Sequence, residues 1–251
     1  MLKIITTLTI VLFGLLAKAQ VTENREVSDF SKVEVKNGIQ LIYTQSATTS
    51  LQVEANDDAT IYNVVTEMTG NTLKIYLENP KVASTAKVYL SAPTLVALTA
   101  KSNAAITIID EITAKNLKVT LRSGANFTGN IQASGKAKLI AESGTLFNGK
   151  IVAPVFTGSF RKDAKINLTG RVQEATITIN DAALLVAKNF IANAIRLNAA
   201  GKSTAMIHAD NDVVLNVADQ AKVTYSGLPH SIEWNEEAEA IQKRNQLVSL
   251  N

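Results

Sequence analysis

The amino-acid sequence predicts an all-β protein whose strands wind into a parallel β-helix with coils of about 18–20 residues. Two observations predict this fold: one phrase recurs about every twenty residues, and apolar residues alternate like those of strands on both sides of each recurring turn. The composition agrees, since 46% of the 251 residues are hydrophobic but only 5% are aromatic. A chain of this length can bury a sizeable core, which must be aliphatic and rich in alanine.

The recurring phrase reads SGANFTGNI at 123–131 and SGTLFNGKI at 143–151. An earlier copy, SNAAITIID, occupies 102–110, and later copies are degraded. A period near twenty residues predicts a solenoid, in which each unit buries its apolar face by stacking on its neighbours. With the turn residue as marker, the copies follow at steps of 20, 19, 18, 20 and 18 residues, at Gly124, Gly144, Asp163, Asp181, Gly201 and Asp219.

The pattern inside each unit predicts which kind of solenoid forms. Apolar residues alternate with period two before and after each Gly or Asp, which indicates strand–turn–strand. No helical period with end signals occurs between 84 and 230, so helix-containing solenoids are disfavoured. Each corner requires positive φ, which Gly adopts freely and Asp at modest cost. Five residues are expected to stack on one another facing inward: Val119, Leu139, Ile177, Leu197 and Leu215.

The two ends of the repeat region are less regular. Strands are predicted within 30–45, 51–55, 73–77 and 86–90, and a short helix within 57–68. No Pro- or Ser-rich linker follows, so residues 20–230 are predicted to form one domain.

The C-terminal tail, residues 231–251, is expected to cap the open end of the solenoid, because exposed terminal strands promote aggregation. Its segment NEEAEAIQKRNQ (235–246) favours a helix, with Glu239 and Lys243 at i, i+4 spacing. Trp234 and Ile241 are the residues expected to supply the apolar contact of this cap.

The same segments resemble a known family. FSKVEVKNGIQLIYTQ, LQVEAND, TGNTLKIYLEN, VYLSAPTL and the SGA-type repeats are similar to the putative auto-transporter adhesin "head GIN" domain, over about residues 30 to 229. The name-giving Gly-Ile-Asn appears here as Gly38-Ile39-Gln40, and the tail after Pro229 also departs from the family pattern. The resemblance implies an exported protein of Gram-negative bacteria. It also implies a right-handed parallel β-helix.

The first nineteen residues have the pattern of a signal peptide. Lys3 provides the positive start, Ile4 to Leu16 form the apolar segment, and Ala17-Lys18-Ala19 fits the cleavage rule. Thirteen residues are too few for a membrane span of about 20. Cleavage after Ala19 leaves 23 basic and 22 acidic residues, which gives no basic patch for nucleic acid. The chain has no cysteine, so disulfides and thiolate metal sites are excluded.

Three patterns suggest chemistry, and each has a simpler structural interpretation. AAGKST (199–204) resembles a phosphate-binding loop but lacks its first glycine and its strand-to-helix setting, so a turn is favoured. His208, Asp210 and Asp212 alternate along an extended chain and either bind a cation or form the polar face of a strand. His230 has no evident partner in the sequence.

Asp163 and Asp181 are the candidate pair for catalysis. If they occupy equivalent corners one coil apart, their carboxylates lie within about 5 Å, close enough to raise the pKa of one carboxyl or to share a cation. That arrangement would suit a glycan-active enzyme, a polysaccharide lyase or hydrolase built on a β-helix. The alternative interpretation is that both are turn residues that accept positive φ.

No nucleophile motif of the Gly-x-Ser-x-Gly type occurs in the chain. We therefore expect an exported, non-enzymatic binding or surface-scaffold protein of the bacterial envelope, without catalytic residue, metal or cofactor. Its partners are expected among glycans or other envelope components. The sequence does not identify a ligand-binding residue.

Protein recovered from its native host should begin at Gln20, since signal peptidase cleaves after Ala19. N-terminal sequencing of the periplasmic and extracellular fractions measures this directly. Protein that retains Met1 in the cytosolic fraction would contradict the expectation.

Overall fold

A computed structural model describes residues 20–80, 86–235 and 241–243, the last for the backbone only. The described chain is a β-solenoid of about seven turns, which confirms the predicted fold class. Its right-handed winding stays a prediction from the family resemblance. The predicted signal segment and the tail residues 236–240 and 244–251 lie outside the described residues.

Short strands form the N-terminal part of the solenoid and long strands form the repeat region. The one helix of the described residues is α1, Asp58–Asn63. The strands are β1 Val21–Arg25, β2 Lys32–Lys36, β3 Gln40–Gln45, β4 Ser50–Ala55, β5 Val64–Thr69, β6 Thr72–Leu77, β7 Ala86–Ala92, β8 Ala97–Ala100, β9 Ala105–Arg122, β10 Asn126–Glu142, β11 Leu146–Arg161, β12 Lys165–Ile179, β13 Leu184–Ala199, β14 Thr204–Val217, β15 Lys222–Ser226, β16 Ser231–Trp234 and β17 Ile241–Lys243.

The solenoid has two faces, each built from parallel strands. The first face contains β6, β2, β8, the C-terminal halves of β9 to β14, and β16. The second face contains β7, β3, the N-terminal halves of β9 to β14, then β15 and β17. Each of the long strands β9 to β14 therefore changes face in its middle. We call this bend the strand corner, and the Gly/Asp turn between successive long strands the turn corner.

The core is a set of inward ladders along the solenoid axis. Val119, Leu139, Ile177, Leu197 and Leu215 are all at most 1% exposed, which confirms their predicted direction. In register, Val119 is opposite Leu139, Ile177 opposite Leu197, and Leu197 opposite Leu215.

A glycine interrupts this ladder on the first face. Gly158 lies between Leu139 and Ile177, and a Cβ there would come within 2.7 Å of the Phe160 ring. The buried rings of Phe156 and Phe160 therefore occupy the space that a side chain at 158 would need.

The turn corners have the predicted conformation. All six marker residues have φ between 52° and 76°, in the left-handed region that Gly, Asn and Asp tolerate. Backbone hydrogen bonds connect one corner to the next, for example from Gly124 N–H to the Ser143 carbonyl at 2.9 Å. These bonds extend the sheet ladder around the corner, so backbone groups of the corner stay paired.

One predicted equivalence at the turn corners is wrong by one residue. Phe160 is opposite Ile179, so Asp181 lies opposite Lys162, and Asp163 lies opposite Ala182. Both aspartates still have the predicted positive φ, because each of these corners has two consecutive residues with positive φ, Lys162–Asp163 and Asp181–Ala182. When the repeat is measured between the first residues of successive turn corners, its steps are 20, 19, 19, 20 and 18 residues. These first residues are Ser123, Ser143, Lys162, Asp181, Gly201 and Asp219.

The N-terminal end is closed by antiparallel strands. β4 pairs antiparallel with β7, β5 with β6, and β1 with β4, so the chain reverses direction beyond the last parallel coil. The helix predicted within 57–68 ends at Asn63, because the buried Val64 begins the edge strand β5. Asp57 caps α1 by accepting the Thr60 N–H at 2.7 Å. Arg25 donates to the carbonyls of Ile61 and Val64, which ties β1 to the end of the helix.

At the C-terminal end the described tail residues continue the two faces. β16 pairs with β14, and β17 pairs with β15. The helix predicted over 235–246 is therefore wrong at Ile241–Lys243, where pairing with β15 outweighs local helix propensity. The Asn235 side chain donates to the Val217 carbonyl and accepts its N–H, at 2.8 and 2.9 Å. Trp234 is 55% exposed in the described structure.

An ion ladder crosses three coils next to the turn corner. Glu142 lies in register between Arg122 and Arg161, and its side chain is 10% exposed. Arg122 Nε is 3.0 Å from Glu142 Oε1, and Arg161 Nε donates to Oε2 at 2.6 Å. The two guanidinium groups are each about half exposed, which screens the attraction.

Replacing Val119 with Asp should lower the free energy of unfolding by on the order of 4 kcal/mol, because it buries a charge without a partner. Urea unfolding followed by circular dichroism measures the change. The control is Lys118→Asp, at the exposed neighbouring position of the same strand, which should stay within about 0.5 kcal/mol of the unsubstituted protein. Equal destabilisation by the two substitutions would contradict the inward assignment.

Replacing Glu142 with Ala should cost about 1–2 kcal/mol of unfolding free energy, since it leaves Arg122 and Arg161, on the two flanking coils, without their shared carboxylate. The same urea titration measures it. The control is Glu174→Ala on the same face, an exposed carboxylate that makes no ion pair with any described residue. A loss no larger than that of the control would show that the ion ladder adds nothing to stability.

Candidate ligand-binding groove

The predicted catalytic pair does not occupy equivalent positions. Asp163 and Asp181 are on adjacent turn corners, but Lys162 is the residue in register with Asp181. The contact between the two aspartates is made by the backbone, where the Asp163 N–H donates to the Asp181 carbonyl at 3.0 Å. Both residues are exposed and have positive φ, so their positions agree with the turn-residue interpretation.

His208, Asp210 and Asp212 alternate outward along β14, as the sequence predicts. His208 Nε2 lies 2.9 Å from Asp210 Oδ1, and its Nδ1 lies 3.0 Å from Ser226 Oγ on the next coil. His208 therefore uses both ring nitrogens within the protein. In the part of the chain that the structure describes, no three His, Asp or Glu side chains gather as metal ligands.

Two other sequence candidates have structural partners. Residues 199–204 form a turn corner, in which the buried Ser203 hydroxyl donates to the Ala200 carbonyl at 2.8 Å. This is the turn predicted in place of a phosphate loop. His230, for which the sequence indicated no partner, lies with Nδ1 3.1 Å from Asn211 Oδ1 on the preceding coil.

A groove of about 450 Å³ runs along the strand corners of five successive rungs. Residues of the wall are in register from rung to rung: Thr113, Gln132, Val152 and Arg171 lie opposite one another in turn. Asn193 belongs to the fifth rung. Because rungs of a sheet are about 4.8 Å apart, the groove is about 19 Å long. Its length suits an extended ligand.

The groove forms because the strand corners differ in length. Between Gln132 and Lys136 the chain of β10 has one residue more than the facing segment of β11, between Val152 and Val155. An extra residue at a bend disrupts the ladder locally and displaces the chain. The floor consists of the small or β-branched residues Ala133, Ala153 and Val172, each at most 5% exposed.

The polar side chains of the groove are not used elsewhere in the described structure. Gln132, Gln173 and Asn193 are exposed and form no hydrogen bond with another described residue. The Arg171 side chain forms neither an ion pair nor a hydrogen bond with the described residues, and Arg171 alone among the described lining residues is charged. Glutamine and asparagine amides supply donors and acceptors, and guanidinium supplies a planar fork of donors. These groups are available to a ligand.

The side chain of Gln45 fixes the backbone at the Thr113 end of the groove. Gln45 accepts the Thr113 N–H at 2.7 Å, and it donates to the carbonyls of Thr113 and Pro93 at 3.0 and 2.8 Å. The backbone of this wall is therefore positioned before any ligand binds. Such preorganisation reduces the ordering cost of binding.

The described groups with a shifted pKa are tyrosines away from the groove. Burial raises the pKa of Tyr43 to about 12, and its hydroxyl donates to the Ala92 carbonyl at 2.8 Å. Burial, followed by the carboxylates of Glu67 and Glu78, raises the pKa of Tyr76. Neither tyrosine lines the groove.

Sequence reasoning missed the groove because its residues form no recognised motif. The signal that was present is the change of step at the turn corners, from 20 residues after Ser123 to 19 after Ser143. A step change shows that one corner has lost a residue, but the sequence pattern does not show at which corner. Register places the loss at 153–154.

Comparison with solved structures shows the same fold in other bacterial proteins. A putative adhesin from Parabacteroides merdae is 17% identical with a TM-score of 0.80, and the match covers 90% of this chain and 96% of that one. A putative adhesin from Parabacteroides distasonis is 16% identical with a TM-score of 0.81, over 91% and 98%. A putative lipid binding protein from Parabacteroides distasonis is 20% identical with a TM-score of 0.70, over 90% and 97%. At these identities the likeness shows the fold alone.

The curated proteins contain no match to the chain. The one helix of the described residues, α1, is neither long nor apolar enough to cross a membrane. The family model described as "putative auto-transporter adhesin, head GIN domain" matches residues 29–229, almost the range over which the sequence resembles that family. The chain belongs to this family.

Proposed function

We propose that the protein is an exported, non-enzymatic binding module that recognises glycans of the bacterial envelope. The observation that supports this most directly is the groove over five rungs, lined by exposed amide side chains without partners among the described residues. Sugar hydroxyls both donate and accept hydrogen bonds, which suits the amides of Gln132, Gln173 and Asn193. An extended solenoid surface also suits ligands with repeating units.

The proposal includes a location outside the cytoplasm. The adhesin-like family supports a surface or extracellular role, and the N-terminal sequence supports export through a cleaved signal at residues 1–19. The module binds its ligand in the periplasm or at the cell surface.

The glycan-active enzyme is the less favoured function. Lys162, rather than Asp163, occupies the corner position equivalent to Asp181, so the stacking argument for a raised pKa or a shared cation loses its basis. The groove is lined by residues of the strand corners, whereas both aspartates are at the turn corners. No observation on the described residues joins these carboxylates to the groove.

Purified protein applied to an array of bacterial envelope glycans should bind at least one of them. The same preparations, incubated with a polysaccharide panel with and without calcium, should release neither reducing nor unsaturated ends. Phospholipid vesicles are included because one structural neighbour is described as lipid binding.

Cleavage that Asp181→Asn abolishes while the circular dichroism spectrum is unchanged would contradict the non-enzymatic proposal. Binding to vesicles but to no glycan would contradict the proposed ligand class.

A further inference from the structure

We infer that the groove binds acidic glycans and that Arg171 pairs with a uronate carboxylate of the ligand. This inference deepens the proposed glycan-binding function and rests on it. It specifies which glycans bind, where they bind and which residue selects them.

The charge of the groove supports an anionic ligand. Arg171 is the sole charged residue among the described lining residues, and Val152 and Ile191 are its neighbours in register. Both neighbours are apolar, so neither competes for the guanidinium. Glu174 is close in sequence but makes no ion pair with Arg171 within 4 Å. The Arg171 guanidinium therefore has no carboxylate partner among the described residues, and a ligand carboxylate can pair with it.

The geometry of Arg171 favours a carboxylate over a diffuse negative charge. Guanidinium presents two parallel N–H donors that match the two oxygens of a carboxylate. Three arginines of the described chain already contact carboxylates: Arg25 contacts Glu23, and Arg122 and Arg161 contact Glu142. Arg171 differs from these three because its partner has to come from outside the described residues. Arg196, like Arg171, forms no ion pair with a described residue, but it does not line the groove.

The remaining lining residues suit the rest of a sugar chain. Gln132 and Gln173 lie two rungs apart on the two sides of Val152, and Asn193 is one rung beyond Gln173. They can bind hydroxyls of successive sugar units on either side of the uronate. The buried apolar floor at Ala133, Ala153 and Val172 can contact the C–H faces of the rings.

The exposure of Arg171 predicts that ligand affinity depends on salt. Because Arg171 is exposed, its pairing with a carboxylate is screened by salt. Affinity should consequently decrease as sodium chloride is raised. A neutral glycan of the same shape would lose the charge-assisted bonds but keep the amide contacts.

The test uses hexasaccharides of polygalacturonate, alginate and hyaluronan, each compared with its carboxyl-reduced form, in isothermal titration calorimetry with the purified protein. At least one acidic hexamer should bind, and reduction of its carboxylates should weaken binding at least tenfold. Arg171→Gln should weaken binding of the acidic hexamer to a similar extent. For Arg171→Gln, carboxyl reduction should cause little further loss, since both changes remove the same contact.

The matched control is Arg196→Gln, an exposed arginine on the first face that lies outside the groove and should leave affinity unchanged. Gln132→Ala should weaken acidic and reduced hexamers equally, because it removes an amide contact and no charge. Circular dichroism and urea titration check that every variant is folded.

Equal affinity for an acidic hexamer and its reduced form, or an unaffected Arg171→Gln variant, would overturn the inference while leaving glycan binding intact. Absence of binding to the hexamers and to every glycan of the array would instead refute the proposed function on which the inference rests.

Discussion

The structure depends on the in-register hydrogen bonding of each coil to the next. On both faces, parallel pairing continues from β9 to β14, and inward residues are stacked on inward residues of neighbouring coils. A one-residue insertion on a face would turn every following side chain of that strand to the other side. The C-terminal halves of the long strands keep their length. The coils vary at their corners and within the N-terminal halves, where register shifts occur at Thr128/Asn130, Asn167/Thr169 and Ala187/Ile191. Differences in sequence length become features of the surface at these corners.

The two corners of the coil respond differently to this constraint. At the turn corner, residues such as Asp163 and Asp181 adopt positive φ, and backbone hydrogen bonds bridge one corner to the next. At the strand corner the chain continues without a tight turn, and register shifts occur there, as between Gln132 and Lys136. The turn corner is thus constrained by the positive φ and the hydrogen bonds of its own backbone. The strand corner is free to form the groove.

Regular stacking also places like side chains on neighbouring rungs. Asn167 donates to Asn148 at 3.0 Å, and Asn216 donates to Asn198 at 2.8 Å. Such amide ladders satisfy their own hydrogen bonds within the protein. In the groove, by contrast, Gln132 has Val152 on a neighbouring rung, and Gln173 and Asn193 lie on adjacent rungs but form no side-chain hydrogen bond with each other. The loss of regularity at this corner leaves the polar groups available for a ligand.

The sequence by itself determined the solenoid, its inward ladders and its turn corners. These features depend on local rules, since period two fixes which side chains face inward and positive φ selects Gly, Asn or Asp. Tertiary pairing decided the rest. The position of Lys162 opposite Asp181, the strand at Ile241–Lys243 and the antiparallel closure by β4 and β5 depend on which segments become neighbours. The groove was likewise decided by tertiary structure, because a one-residue difference between two corners becomes a surface feature only when the coils are stacked.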